Sequence, residues 1–414
     1  MRALVLAAGK GERLWPLTET IPKPLLPICG KSLLERILNS LVQSGIRDIT
    51  LLVKFQAWKI RKGIGNGSQY GCRVSYVEQK TLGGTADAVR ACRQRLMGES
   101  RFLVIYADNY YQDDALRAFV TRSSRTAGMA LATGQAEDTS PFGRVTVKQG
   151  RVVRIMEKTR DHRPGLVNAG LYMLDNSIFD AIDRTRRSKR GELELTDSLK
   201  LMIQRRNAVS AIPFRRGKWF GISYPWDLLD ANEQAIKVER TVRKGHVEKN
   251  VHIKDNLSLG SGTIVKSGTY IEGPVYVGEN SVIGPNAYLR AYTSIGDDVR
   301  VGAGCEVKNS ILMDAAKIPH LSYVGDSIIG PRSTLGARTI TANLRFDGKP
   351  VKSKVKNQIV TKNRRKLGAI IGENVKTGIN VSILPGVKIG AGAWIGPGVV
   401  LEHDVPSGSR VRRS

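Results

Sequence analysis

The sequence predicts an α/β domain followed by a parallel β-helix, and two observations lead to this prediction. Residues 1–235 alternate short apolar runs with amphipathic segments, which is the pattern of a mostly parallel sheet covered by helices. From residue 247 the aliphatic side chains recur every six residues, which is typical of the stacked coils of a β-helix. With 414 residues, the chain is long enough for two or three domains with full cores.

Strands and helices of the first domain follow from the apolar runs and from the residues that end them. Pro225 and Trp226 supply a stop and Asp227 an N-cap, so we expect a helix from Asp227 to about Val242. Amphipathic segments predict helices over residues 32–44 and 82–95. The predicted strands cover residues 3–8, 48–54, 73–78, 102–106 and 128–133.

The six-residue repeat is the strongest structural signal in the chain. Val, Ile or Leu occupies eleven consecutive positions at this spacing: Val247, Ile253, Leu259, Val265, Ile271, Val277, Ile283, Leu289, Ile295, Val301 and Val307. The spacing resumes from Ile371 to Leu401. Each coil of a β-helix buries one such side chain per face, so residues 342–369 are predicted to be a loop extruded from the coil.

Charge is distributed unevenly along the chain, which carries a formal net charge of +28. Residues 345–366 hold nine basic residues against one acidic residue, Asp347, which indicates either a local anion site or an exposed, solvated arm. Nucleic acid stays an alternative partner, but it is not favoured, because the basic residues show neither a pattern of interleaved aromatic residues nor a known binding module.

Compartment and redox state follow from the apolar runs and the cysteines. No apolar run is long enough for a signal-peptide core or a membrane span, so we expect a cytoplasmic protein without a membrane partner. The four cysteines are far apart, which fits reduced structural thiols and excludes a cysteine metal site.

The stretch LAAGKGERLWPLT, residues 6–18, ends a predicted strand on closely spaced glycines. Gly9 and Gly11 would let the backbone approach a phosphate, and Lys10, Arg13 and Lys23 would add positive charge. The stretch does not match the Walker pattern and lacks the complete dinucleotide fingerprint. A tight turn with solvated charges is the alternative.

These residues, with PKPLLPICGKSLLE after them, resemble the opening of the sugar-1-phosphate nucleotidylyltransferases. EQKTLGGTADAV, VIYADN, EKT, VNAG and RGELELTD follow in the family's order, and PHLSYVGDS resembles the coil of archaeal two-domain enzymes that add an acetyltransferase. The resemblance covers essentially the whole chain. It implies a Rossmann-like nucleotidyltransferase domain over residues 1–226, a linker helix over 227–246, and a left-handed β-helix acetyltransferase domain over 247–414 with a basic loop at 342–369.

The resemblance also implies roles for residues of the first domain. Taken singly, each could instead be a turn, a cap or a solvated surface residue, but they occur together in the family's order. The implied roles are nucleotide-phosphate binding for Gly9, Gly11 and the catalytic Arg13, contact with the reacting phosphates for the catalytic Lys23, base recognition for Gln79 and Gly84, sugar binding for Glu157 and Asn168, and Mg²⁺ binding for Asp108.

One departure from the family concerns the metal. Gly221 stands where the family usually has a second metal carboxylate or amide, and glycine has no side chain to offer. Asp227 lies six residues further on, and capping preferences favour an N-cap role over a substitute ligand. Mg²⁺ needs few protein carboxylates. Three alternatives therefore stay open: nucleotidyl transfer could be weakened, could require more metal, or could be absent.

In the coil, the resemblance implies an acetyl-transfer site. His320 would be the general base, although an isolated histidine is more often a hydrogen-bonded structural residue. Tyr323 and Asn343 would orient the sugar or the thioester, and Lys349 and Lys352 would neutralise a phosphate, with a solvated arm as the alternative for these lysines. Arg338 stands where bacterial relatives usually have glycine.

The resemblance implies a bifunctional enzyme of UDP-N-acetylhexosamine synthesis that is similar to the bacterial bifunctional UDP-N-acetylglucosamine pyrophosphorylase/glucosamine-1-phosphate N-acetyltransferase. The implied substrates are acetyl-CoA, a hexosamine 1-phosphate and UTP or dTTP, with Mg²⁺ as cofactor and a homotrimer formed through the coil. One alternative is a glucose- or mannose-1-phosphate nucleotidylyltransferase with a structural coil. Another is a non-catalytic regulatory relative, because of Gly221.

Overall fold

The computed structural model describes residues 1–157, 162–205, 207–356, 358–361 and 363–413. Parts of the EKT motif and of the predicted loop 342–369 lie outside the described residues. The chain forms two compact units, the first made of Met1–Lys10, Pro22–Leu25 and Ser32–Ile222, and the second of Gly11–Ile21, Leu26–Lys31 and Ser223–Ser414. The boundaries predicted at 226/227 and 246/247 stay predictions.

The first unit contains a nine-stranded sheet. Arg2–Ala7 pairs in parallel with two neighbours, and the four strands on that side are all parallel, as predicted. Gly165–Asp175 is antiparallel to both of its main neighbours, so the sheet is mixed rather than mostly parallel. In spatial order the strands are Arg73–Glu78, Asp48–Val53, Arg2–Ala7, Arg101–Tyr106, Gly165–Asp175, Met129–Ala136, Val209–Pro213, Arg151–Met156 and Arg144–Lys148.

Helices cover this sheet, and a second small sheet pairs Trp219–Gly221 with Asn109–Tyr111. The helix predicted over residues 32–44 has Ser32 as its N-cap, in a capping box with Glu35. The segment predicted over 82–95 is two short helices. Helices of the first unit are Leu33–Gln43, Ala57–Ile64, Thr85–Ala91, Arg93–Leu96, Asp113–Ser124, Ser177–Arg184 and Leu195–Gln204.

The helix expected from Asp227 to about Val242 runs instead over Pro225–Val238. Pro225 occupies its first turn, where a fixed φ and a missing N–H cost nothing, and Tyr224 is the N-cap. Asp227 is therefore not the N-cap. Its Oδ2 accepts the backbone N–H groups of Ser223 at 2.7 Å and Tyr224 at 2.8 Å, so it caps the helix from inside the first turn.

The coil of the second unit is a triangular β-helix with parallel strands on each of its three faces. The face we call the basic face contains a five-stranded and a three-stranded sheet, which single bridges through Thr334 connect. Its strands are His246–Val247, Ile264–Val265, Val282–Ile283, Arg300–Ala303, Lys317–His320, Lys376–Thr377, Trp394–Ile395 and Arg410–Val411. The aromatic face contains His252–Lys254, Tyr270–Glu272, Tyr288–Leu289, Glu306–Lys308, Tyr323–Gly325, Ile340–Thr341, Ser382–Ile383 and Val400–Leu401. The covered face contains Leu257–Leu259, Val275–Val277, Thr293–Ile295, Ile311–Leu312, Ile328–Ile329, Ile370–Ile371 and Lys388–Ile389.

The predicted six-residue ladder forms the core of this coil, because its members from Leu259 to Val307 are almost completely buried in one cluster. Residues 342–369 lie between the strands Ile340–Thr341 and Ile370–Ile371. Within that segment, Lys352–Val355 and Gln358–Thr361 form an antiparallel hairpin. Short strands also occur at Pro27–Ile28 and Lys31–Ser32.

Candidate active sites

The loop after the first strand contains Gly9 and Gly11, the two glycines predicted to bind phosphate. A Cβ built on Gly9 would meet nothing within 4 Å, so no protein atom requires glycine there and the space is open to a ligand. Gly11 has a φ of +66°, which favours glycine, and its carbonyl accepts a hydrogen bond from Thr18 Oγ1 at 2.9 Å. The guanidinium of Arg13 lies 5.5 Å from the centre of the Tyr224 ring.

Lys23 and Asp108 lie together. Lys23 is only 7% exposed, and its Nζ donates to Asp108 Oδ2 at 2.8 Å. Asp108 follows the strand Arg101–Tyr106, at the carboxyl edge of the parallel strands, where α/β sheets bind ligands. The structure thus joins the lysine predicted to contact the reacting phosphates to the carboxylate predicted to hold Mg²⁺.

Gly221 lies beside this pair and has a steric reason to be glycine. It is the cross-strand partner of Asn109, and a Cβ on it would lie 2.3 Å from the ring of Phe142. Phe142 is held there by an edge contact with Trp219, with ring centres 5.4 Å apart. Among the described residues, no group of three or more His, Cys, Asp or Glu side chains could hold a metal.

Gln79 and Gly84, the residues predicted to face the base, lie at the ends of a short loop. Gln79 is 4% exposed, and its Nε2 donates to Asp87 Oδ2 at 3.1 Å. Gly84 has a φ of +101°, and a Cβ there would lie 2.4 Å from the carbonyl oxygen of Leu193. The glycine therefore lets this loop approach the RGELELTD segment. In that segment the Leu193 N–H also donates to the Gly83 carbonyl oxygen at 2.7 Å.

Glu157 and Asn168, the residues predicted to hold the sugar, flank Gly143. A Cβ on Gly143 would lie 2.9 Å from Glu157 Oε2 and 3.6 Å from Asn168 Cβ. Asn168 is oriented from both ends, because its Nδ2 donates to Tyr172 Oη at 2.5 Å and its Oδ1 accepts the Gly170 N–H at 2.9 Å.

Sequence reasoning missed three residues around Glu157. Thr196 donates to Glu157 Oε2 at 2.9 Å, and Arg190 Nη2 lies 3.8 Å from Glu157 Oε1 and 2.5 Å from Glu194 Oε1. Burial raises the pKa of Glu194 to about 7, the charge of Glu157 raises it as well, and Arg190 opposes the rise. All three belong to the RGELELTD segment that carried part of the resemblance, but nothing in a lone Thr, Arg or Glu indicates which side chain faces Glu157.

In the coil, Tyr323 and Asn343 are brought together, with Asn343 Nδ2 donating to Tyr323 Oη at 3.1 Å. His320 is exposed at the end of the strand that precedes Tyr323, and no side-chain hydrogen bond to its imidazole occurs within the described part of the chain. Lys349 and Lys352 are exposed in the extruded segment, and among the described residues neither lysine side chain bonds to these three.

Asp326 was also missed, although it belongs to the quoted PHLSYVGDS stretch. Its Oδ2 accepts from Asn343 Nδ2 at 2.6 Å, and its Oδ1 accepts from Asn309 Nδ2 at 2.7 Å. Arg338, which stands where glycine is usual, has a φ of +59°, and this left-handed conformation explains that preference.

Fold and sites together define a nucleotidyltransferase-type α/β unit joined to a hexapeptide-repeat coil, and comparison with protein-family models agrees. Residues 2–238 match a nucleotidyl transferase family, residues 271–367 match the GMPPB C-terminal domain, and residues 368–403 match the bacterial transferase hexapeptide (six repeats).

Individual proteins extend the similarity along the whole chain. The chain is 43% identical to the bifunctional protein GlmU of Methanococcus aeolicus, over 99% of this chain and 97% of that one. It is 41% identical to the bifunctional sugar-1-phosphate nucleotidylyltransferase/acetyltransferase of Sulfurisphaera tokodaii, over 99% of both. A solved structure from Bacillus anthracis, provisionally assigned as a glucose-1-phosphate thymidylyltransferase, is 26% identical with a TM-score of 0.53, covering 58% of this chain and 98% of that one.

The chain therefore belongs to the family of bifunctional sugar-1-phosphate nucleotidylyltransferase/acetyltransferases. This membership confirms the resemblance to the archaeal two-domain enzymes, the predicted fold class and the expectation of an enzyme with both transferase activities. Within the described residues, no helix is long and apolar enough to cross a membrane.

Proposed function

We propose that the chain makes a nucleotide-activated N-acetylhexosamine in two steps. In the coil, the amine of glucosamine or galactosamine 1-phosphate takes the acetyl group of acetyl-CoA. In the α/β unit, the N-acetylglucosamine 1-phosphate so formed takes a uridylyl group from UTP, or the corresponding group from dTTP, and pyrophosphate leaves. Similarity over the full length to enzymes named for both activities supports the pairing of the two reactions.

Lys23 and Asp108 carry the proposal for nucleotidyl transfer. A phosphate oxygen of the sugar 1-phosphate attacks the α-phosphorus, so catalysis consists mainly of placing two anions together and neutralising their charge. Buried Lys23 would contact the reacting phosphates, and Gly9, Gly11 and Arg13 would hold the rest of the triphosphate. The nucleophile is already an anion, so the step needs no general base.

Asp108 would hold Mg²⁺, which when bound neutralises charge on the triphosphate. The donor set fits this ion, because Mg²⁺ accepts one or two protein carboxylates and completes its octahedron with water and phosphate oxygens. Glu157 and Asn168 would orient the sugar, and Gln79 and Gly84 would face the base. The contacts of Asp227 with Ser223 and Tyr224 support a capping role rather than a metal role.

Pyrophosphate release tests this half of the proposal, with UTP or dTTP, N-acetylglucosamine 1-phosphate and titrated Mg²⁺. Asp108→Asn is expected to lower kcat by about 100-fold or more, since it removes a charge that acts on the transition state. Asp114→Asn is the matched control, because this exposed aspartate pairs with Lys218 on the surface. A native protein that binds UTP but releases no pyrophosphate would instead be a regulatory relative.

His320 carries the proposal for acetyl transfer. As the amine attacks the thioester, His320 would take the proton, and Tyr323 and Asn343 would orient the reacting groups. Lys349 and Lys352 would neutralise a substrate phosphate, and we propose that the coil forms a homotrimer. The test is release of the CoA thiol with glucosamine 1-phosphate. His320→Ala should cost about 100-fold or more, whereas exposed His403→Ala should not change the rate.

A further inference from the structure

Asp326 is a buried carboxylate, 3% exposed, that lies three residues after Tyr323 in the coil. We propose that Asp326 is a positioning residue of the acetyl-transfer site, which acts through Asn343 and Tyr323 by fixing which of their atoms donate and which accept hydrogen bonds. This inference rests on the proposed acetyl transfer.

Asp326 determines which way the Asn343 amide points. A carboxylate only accepts hydrogen bonds, so the atom of Asn343 that lies 2.6 Å from Asp326 Oδ2 must be the amide nitrogen. The same nitrogen donates to Tyr323 Oη at 3.1 Å, and these two bonds use both of its hydrogens. The amide oxygen of Asn343 is therefore kept as an acceptor for a ligand.

The same chain of bonds assigns a direction to the Tyr323 hydroxyl. Because its oxygen accepts from Asn343, its own hydrogen must point elsewhere, and within the described part of the chain no residue accepts it. Burial raises the pKa of Tyr323, so the hydroxyl keeps its proton at neutral pH. Tyr323 thus offers a donor beside the acceptor of Asn343.

A hydroxyl donor and an amide acceptor on two hydrogen-bonded side chains fit an amine attacking a thioester. The amine nitrogen forms a bond to the carbonyl carbon while one of its N–H groups donates to Asn343 Oδ1. The carbonyl oxygen gains negative charge and accepts from the Tyr323 hydroxyl, as in an oxyanion hole. His320 takes the amine proton, the C–S bond breaks, and the CoA thiolate leaves with the bonding electrons and then takes up a proton.

Neighbouring residues hold the Asp326 carboxylate in place. Asn309 donates to its other oxygen at 2.7 Å, and Lys308 and Arg364 lie 3.9 Å away. Gly325 makes room for the arrangement, because a Cβ there would lie 2.4 Å from Tyr323 Oη and 2.7 Å from Asn343 Nδ2.

The test is a double-mutant cycle on acetyl transfer. Asp326→Asn keeps the size of the side chain but can also donate, so it no longer fixes the Asn343 amide; we expect kcat to fall by about tenfold or more with a smaller change in the KM for glucosamine 1-phosphate. Tyr323→Phe should cost about tenfold or more in the native background and less than about twofold in Asp326→Asn.

Two controls separate positioning from folding. Asp326 and Asp298 both lie at left-handed corners of the coil, with φ of +49° and +57°, but Asp298 is exposed. Asp298→Asn should therefore leave acetyl transfer unchanged. Pyrophosphate release by Asp326→Asn should equal that of the native protein. If the losses from Asp326→Asn and Tyr323→Phe were independent and multiplied, the inference would be overturned but the proposed function would stand. A native protein without acetyl transfer would overturn the proposed function, and the inference with it.

Discussion

Glu194 shows how a single buried carboxylate responds to its neighbours. Its side chain is almost completely buried, Glu157 lies close enough to repel its charge, and one guanidinium, that of Arg190, is shared among Glu157, Glu192 and Glu194. Taking a charge out of water beside a second negative charge favours the protonated form, which is why the pKa rises from 4.5 to about 7.

This pKa predicts a pH dependence of stability. Between pH 4.5 and about 7 the folded protein holds a proton that the unfolded chain releases, so the free energy of unfolding should fall as the pH rises through this window. Below pH 4.5 the contribution is complete, and above pH 7 it is lost. Thermal unfolding of native protein and Glu194→Gln across this range should show a shallower fall for the variant.

Glu137→Gln is the control for that experiment, because Glu137 is an exposed carboxylate paired with exposed Arg216. Its pH profile should follow the native one. A Glu194→Gln profile that also matched the native profile would contradict the protonation of Glu194 in the folded protein.

Residues of the candidate sites were predictable where they belonged to a motif, or where a glycine stood in place of an expected side chain. Lys23 and Asp108 were chosen from separate motifs and lie 2.8 Å apart. Thr196 and Asp326 were missed because a polar residue carries no sign of the partner it will meet far along the chain. Gly221 was recognised as a lost ligand, but the sequence could not reveal that Phe142 occupies the space, so that Gly221→Asp would collide with its ring.

At the scale of elements, the corners of the coil impose left-handed backbone conformations. Asparagine and aspartate tolerate them and take many of these corners, but Ala315 also has a φ of +57°. A Cβ in this conformation costs roughly 1–2 kcal/mol, whereas glycine adopts it freely. The repeat therefore strains the chain most where a corner residue is not glycine, asparagine or aspartate.

Ala315→Gly should stabilise the coil. Relief of the left-handed strain outweighs the added freedom of the unfolded chain, and we expect a gain of about 0.5–1 kcal/mol in the free energy of unfolding. Ala337→Gly is the matched control, since Ala337 is also at a coil corner but is not left-handed. It should lose about 0.5–1 kcal/mol. Calorimetric melting temperatures that move in the same direction for both variants would contradict this explanation.

Elements were predictable from sequence to the extent that local pattern determines them. The eleven-fold ladder predicted the coil because each position packs against its equivalent on the next coil. The antiparallel placement of Gly165–Asp175 between Arg101–Tyr106 and Met129–Ala136 depends on contacts between distant segments, and the alternating pattern could not reveal it. The early helix start at Pro225 reflects a cap formed by two residues together, Tyr224 and Asp227.

At the scale of the whole molecule, the three faces of the coil differ in what they present. The outward residues Ile311, Ile328 and Ile370 of the covered face are buried. The basic face presents Arg300, Lys317, Lys376 and Arg410 along one row, in which Thr334 lies between the two lysines and Trp394 lies between Lys376 and Arg410. On the aromatic face, Tyr270 is 39% and Val400 57% exposed, with Tyr288 and Ile340 between them.

These differences identify the face through which the proposed trimer would form. Cations on two copies would repel each other across the basic face, whereas exposed apolar and aromatic side chains gain free energy when a second copy removes them from water. The aromatic face also carries Tyr323, so association through it would bring a neighbouring subunit next to the proposed acetyl-transfer site. Self-association should therefore use the aromatic face.

A double substitution, Tyr270→Glu with Val400→Glu, should convert the trimer to a monomer, because buried carboxylates without partners would be costly at the interface. Light scattering should report a native mass about three times 45.4 kDa and a mass near 45.4 kDa for the variant. Acetyl transfer should fall in the variant while pyrophosphate release is kept. Lys317→Glu, on the basic face, is the control and should remain trimeric. Dissociation by Lys317→Glu alone would assign the interface to the basic face, and a monomeric native protein would remove the trimer from the proposal.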